Sequence, residues 1–227
     1  EAAKWQRVRA GTAREDAPVP LRLRPEAVRW RVRRQRRGAL YVVILDTSAS
    51  VARQGIGHAK GLALALAEEV YARHERLALI ACGGVRARLL AAPHLPPRRA
   101  QAILAALPVG GGTPLEDALR LACRVARRHG PTDSDSLHVI VFTDGGANRR
   151  SFPAPPSGLE SVGAGLPALA AAARLLQSQG ARLLLVDMGG RYAAGGRGKK
   201  VAAALGAAYI PLSHLLARDD SGGRDRQ

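Results

Sequence analysis

The chain has 227 residues, room for one α/β domain with a sizeable core and flanking tails. With 47% apolar residues, and no run of about 18 uncharged apolar ones, the composition excludes a disordered chain and a membrane-spanning helix. Net charge is +17 and nearly all of the basicity is arginine, which fits either an acidic partner or a genome rich in arginine codons.

The first 27 residues carry Pro18, Pro20 and Pro25 and no clean period, which predicts an arm. In "AVRWRVRRQRRG" the apolar Val28, Trp30 and Val32 alternate with arginine, as in an extended segment lying on a surface. From Leu40 the pattern changes. "LYVVILD" is a continuous apolar run, the mark of a strand covered on both faces, and "HAKGLALALAEEVYARH" repeats apolar residues at helical spacing. "RLALIAC" predicts a second buried strand, "RARLL" a short antiparallel edge strand, and "PRRAQAILAALP" a helix between prolines. "TPLEDALRLACRVARRHG" predicts a helix with Thr113 as N-cap, Pro114 in the first turn, Glu116 in the capping-box position and Gly130 as stop. "LHVIVFTD" is a strand ending in an aspartate, and a Pro/Gly/Ser loop over 151–163 leads to the helix "LPALAAAARLLQSQG". "ARLLLVDMG", "GKKVAAALG" and "AYIPL" predict a strand, a short helix and a last strand before a polar tail.

Strands alternating with helices predict a Rossmann-like three-layer α/β domain. It has a mostly parallel six-stranded sheet, one antiparallel edge strand and helices on both faces. The predicted organisation is a basic arm over 1–38, the domain over 39–216 and a tail over 217–227. In such a sheet, ligands bind outside the carboxyl ends of the strands near the switch point. Asp46 and Asp144 sit at two of those ends, Ser48 and Ser50 follow the first, and Thr113 opens a helix. Two carboxylates and three hydroxyls, with no imidazole or thiolate, suit a hard divalent cation, Mg²⁺ or Mn²⁺. Glycines 110–112 are read as the turn that lets Thr113 approach the ion rather than as a phosphate cradle.

"DTSAS", "GGGTP" and "FTDGG" resemble the three loops of the von Willebrand factor A, or integrin I, domain, whose metal-ion-dependent adhesion site reads DxSxS, then Thr, then Asp. The resemblance implies that Ser48, Ser50 and Thr113 ligate the metal through their hydroxyls, and Asp46 and Asp144 directly or through water. Ala49 stands where that family usually has glycine between the serines. The arginine-rich entry to the first strand, "AKGLALALAEEVYARHERLALIAC", "LPVGGGTPLEDAL" and "VIVFTDGGANR" resemble the carboxyl-terminal domain of magnesium chelatase D subunits. That implies partners: an AAA+ ATPase subunit, a large porphyrin-binding subunit, or both, engaged through an acidic residue, in the complex that inserts Mg²⁺ into protoporphyrin IX. A related cobalt-inserting assembly is the alternative.

The chain has no GxxxxGK[ST] phosphate loop, starts at Glu1 and has Met188 as its only methionine, so it reads as a non-catalytic piece of a longer protein. Cys82 and Cys123 form no CxxC or Cys/His cluster, and no signal segment opens the chain, which fits reduced thiols in the cytoplasm. His58, His74, His94, His129, His138 and His214 show no paired ligand spacing. Two other functions compete. A haloacid-dehalogenase-type phosphatase would need a second acid two residues after Asp46, where Ser48 stands. Nucleic-acid binding through the arm lacks aromatic interleaving or a recognition motif.

Overall fold

The run Leu40–Asp46 forms β1, and residues 40 and 42–46 are buried because layers cover it on both sides. In the computed structural model, which describes residues 38–130, 136–146, 165–189 and 196–219, six strands form one sheet. The others are β2 (Arg76–Gly83), β3 (Arg86–Ala91), β4 (Leu137–Thr143), β5 (Ala181–Asp187) and β6 (Ala208–Pro211), in the order β3-β2-β1-β4-β5-β6. All neighbours run parallel except β2 and β3, so the antiparallel edge strand lies where the sequence predicts it. The chain turns from one half of the sheet to the other between β1 and β4, which leaves a crevice outside their carboxyl ends.

Helices cover both faces: α1 (Ala49–Gln54), α2 (Ile56–Ala72), α3 (Pro97–Ala105), α4 (Leu115–His129), α5 (Leu166–Gln177), α6 (Arg197–Leu205) and α7 (Leu212–Asp219). Leu40, Val42, Ile44 and their neighbours on β2, β4 and β5 pack against α4, α5 and α6. Val43 and Leu45 face the other way, into a layer made by α1, α2, α3 and α7. Strand side chains alternate between the two cores, so each apolar run serves both. Helix α4 buries Leu115, Ala118, Leu119, Ala122 and Ala126, a stripe at helical spacing. Glu116 and Asp117 lie in its first turn and Arg127, Arg128 and His129 in its last, each sign matching the helix dipole. Arg76, 9% exposed at the start of β2, donates to the Gly38 carbonyl at 3.1 Å and to the His129 carbonyl at the end of α4.

Three local features differ from expectation. The N-cap of α4 is Pro114, with ψ 60°, rather than Thr113, and Gly130 stops the helix as expected. A proline with that ψ cannot yet be helical, so the helix begins one residue later and Thr113 is left for another task. Glu116 accordingly pairs with Arg120 at 2.9 Å instead of closing a capping box. The segment after Asp46 makes two helices, with Gly55 between them. Helix α7, not expected from the sequence, runs across residue 216 and tucks Leu212 and Leu215 against the α2 layer. The arm, the loop 151–163 and most of the polar tail lie outside the described residues. Among the described residues no helix is long and apolar enough to cross a membrane.

Leu119 is fully buried between α4 and the sheet, whereas Leu175 is 44% exposed. Leu119→Ala is expected to cost about 2–5 kcal/mol in urea unfolding, against less than about 0.5 kcal/mol for Leu175→Ala.

Candidate metal centre

Asp46 is the last residue of β1, on the face that carries Leu40, Val42 and Ile44, and it is 1% exposed. A carboxylate taken out of water needs donors. Its Oδ1 accepts the Ser48 N–H at 2.9 Å and faces the Thr113 hydroxyl at 3.5 Å, and its Oδ2 accepts the Thr143 hydroxyl at 2.7 Å. Burial pushes the Asp46 carboxyl up to about 6; the bonds from Thr143 and Ser48 pull it down, and the charge of Asp144 adds to the rise. Next along the chain, the Ser48 and Ser50 hydroxyls are 3.1 Å apart.

Asp144 follows β4, which is hydrogen-bonded to β1, and is 3% exposed. Its Oδ1 accepts the Gly146 N–H at 2.8 Å, while Oδ2 is buried without a partner in the protein. The backbone is close-packed at Gly145, with φ +76°, where a Cβ would lie 2.6 Å from the Gly198 nitrogen in the first turn of α6. The second loop closes over the first, with the Gly110 N–H on the Thr47 carbonyl at 2.7 Å and the Ala49 N–H on the Gly111 carbonyl at 3.3 Å. Ala49 opens α1 and is not among the residues of positive φ, so alanine costs nothing where glycine is usual.

The structure thus places Asp46, Ser48, Ser50 and Thr113 in one hydrogen-bonded cluster. Asp144 stands beside it through Thr143, its neighbour in the chain. The donor set is five oxygens, two of them carboxylates. Among the described residues neither carboxylate forms an ion pair, and none of the hydrogen bonds to them comes from His, Lys or Arg. Two buried acids and an unpartnered Oδ2 fit a hard divalent cation, which would supply the missing positive charge. Among the described residues no group of three or more His, Cys, Asp or Glu that could hold a metal ion is present.

Two participants were not singled out in the sequence. Thr143 holds Asp46 across the crevice, and its signal was only its place before Asp144. Asp187 ends β5 opposite Thr143 and is 5% exposed. It accepts the Gly189 N–H at 2.8 Å and the Tyr209 hydroxyl at 2.7 Å. A Cβ on Gly198 would come within 2.2 Å of its Oδ2, so this carboxylate supports the same turn of α6 that meets Gly145. The available signal was a third strand ending in aspartate.

Residues 41–147 match the family described as von Willebrand factor type A domain. The chain is 31% identical over 181 residues to the magnesium-chelatase 67 kDa subunit of Heliobacterium mobile, covering 79% of this chain and 27% of the relative. It therefore spans less than a third of that relative's length. In fold it is similar to a von Willebrand factor type A structure from Catenulispora acidiphila, at TM-score 0.51 and 20% identity, covering 80% of this chain and 41% of the other. It is also similar to the manganese-loaded Plasmodium vivax TRAP protein, at TM-score 0.58 and 16% identity, covering 80% and 72%.

Burial, then the bond to Asp187 and its charge, push the Tyr209 phenol up to about 12. A raised phenol keeps its proton, so this bond contributes in full below the ordinary value of 10.0 and is lost as pH rises through about 12. Tyr209→Phe, which leaves Asp187 Oδ2 without its hydroxyl donor, is expected to cost about 1–3 kcal/mol at neutral pH. In chemical denaturation at a series of pH values, the gap between variant and parent should close over the interval from 10.0 to about 12.

Proposed function

Because the chain carries a von Willebrand factor type A domain related to magnesium-chelatase subunits, we propose that it is a metal-dependent docking module of such a complex. Asp46, Ser48, Ser50, Thr113 and Asp144 hold one Mg²⁺, or Mn²⁺ in its place. The observation that carries this reading is the pair of buried carboxylates, one with an oxygen that no protein group satisfies. The manganese in a protein of similar fold supports the choice of ion. Bound there, the ion supplies a Lewis-acidic position that an outside carboxylate can occupy. The chain's own residues hold it and aim it: Thr143 and the Ser48 N–H fix the Asp46 carboxylate, and the Gly146 N–H fixes Asp144.

The same bonds support docking rather than catalysis. Both oxygens of Asp46 are already engaged, so it is poorly placed as a nucleophile of the phosphatase type. Neither carboxylate is bonded to an imidazole or ammonium among the described residues, so no proton shuttle is in contact with them. A net charge of +17 steers acidic surfaces toward the domain. The partner is therefore an Asp or Glu on an AAA+ ATPase subunit or on the large porphyrin-binding subunit, in a complex inserting Mg²⁺ into protoporphyrin IX. A cobalt-inserting complex of similar construction would use the same docking chemistry.

Asp46→Ala and Asp144→Ala should each abolish calorimetric Mg²⁺ binding. Titrated against the chelatase ATPase and porphyrin-binding subunits, the parent should bind in Mg²⁺ and weaken at least about tenfold in EDTA, a change of about 1.4 kcal/mol. Equal affinity with and without Mg²⁺ would reduce the ion to a structural role.

A further inference from the structure

Four large apolar side chains stand exposed among the described residues, and two of them rise from the loops around the proposed ion. Val85, 60% exposed, lies in the β2–β3 turn, and Val109, 48% exposed, in the connection from α3 to α4. These segments touch. At Gly111, with φ +82°, a Cβ would lie 2.6 Å from the Gly84 Cα, so only glycine lets the two loops close. Val85 is one residue from Gly84 and Val109 two from Gly111. The same knot holds the Ser48–Ser50 loop, through Gly110 on Thr47 and Gly111 on Ala49.

The knot is also braced from below. Lys60 on α2 donates its ammonium to the Leu107 carbonyl at 3.0 Å, fixing the chain just before exposed Pro108 and Val109. Val85 and Val109 thus stand exposed, as an apolar shoulder, on two loops that meet at Gly84 and Gly111, close enough along the chain for one partner side chain to be offered to both. Beyond it along the edge strand come Arg86 and Arg88, both exposed. Addition of a partner strand to β3 is disfavoured, because Asp117 Oδ2 already accepts the Ala87 N–H at 2.8 Å. Recognition here has to be by side chains.

We propose that Val85 and Val109 form the second contact of the docking site. They take an apolar side chain next to the metal-bound carboxylate of an acidic partner segment, and Arg86 and Arg88 face its remaining acids. The inference rests on the docking reading above and adds the chemistry of the partner: an acidic segment with a bulky apolar residue beside the acid that reaches the ion.

The test uses the full chain and two labelled peptides, each with a central Glu among further acids, one flanking that Glu with leucines and the other with serines. In Mg²⁺ the leucine peptide should bind about five- to tenfold tighter, the effect of burying part of one leucine. The double variant Val85→Ser/Val109→Ser should lose that preference while keeping parental Mg²⁺ affinity and parental binding of the serine peptide. Arg86→Ala/Arg88→Ala should weaken both peptides. Mg²⁺-dependent binding with no leucine preference, or a preference that survives the double serine variant, overturns the shoulder and leaves the docking reading standing. A leucine preference lost in the serine variant but insensitive to EDTA and to Asp46→Ala upholds the shoulder and removes the ion from the docking reading. Binding of neither peptide counts against both.

Discussion

The arrangement depends on one carboxylate, Asp46, kept at the end of a strand from which water is excluded. At 1% exposure it survives only because three different loops reach it: its own through the Ser48 N–H, the α4 loop through Thr113 and the β4 end through Thr143. Each bond draws a loop toward the crevice between β1 and β4. The price of the site is an acid whose carboxyl is pushed up to about 6, with a second buried acid beside it. The sheet places both, because β1 and β4 are hydrogen-bonded neighbours on either side of the switch point.

Backbone constraints carry that demand outward. The Asp144 loop lies so close to α6 that position 145 leaves no room for a side chain, and α6 in turn rests on Asp187 and, through it, on Tyr209 of β6. The second loop presses Gly111 against Gly84 and so brings the β2–β3 turn into the same knot. Segments at the carboxyl ends of β1, β2 and β4 thus gather around Asp46, with the loop before α4. Close packing of this kind is what would preorganise the oxygens for the ion proposed above.

Most of this was legible in the sequence because it rests on local patterns. The apolar runs gave the buried strands, the short "RARLL" gave the antiparallel edge, and three motifs in order gave the five oxygens. What stayed hidden depended on contacts distant in sequence or on a single dihedral. Thr113 looked like an N-cap until the ψ of Pro114 moved the helix start by one residue. Helix α7 was concealed because its Leu212 and Leu215 find their apolar partners on elements far back in the chain. Asp187 carried no motif of its own, since its hydroxyl donor lies on another strand.

A dication held by the buried oxygens around Asp46, as proposed above, would be seen in diffraction from crystals soaked in Mn²⁺ and recorded at the manganese edge. One anomalous peak is expected, bounded by Ser48 Oγ, Ser50 Oγ, Thr113 Oγ1 and the Asp144 carboxylate, with its nearest oxygens at about 2.1 Å, allowing for one or two through water. A peak elsewhere on the surface, with none in the crevice between β1 and β4, would contradict it.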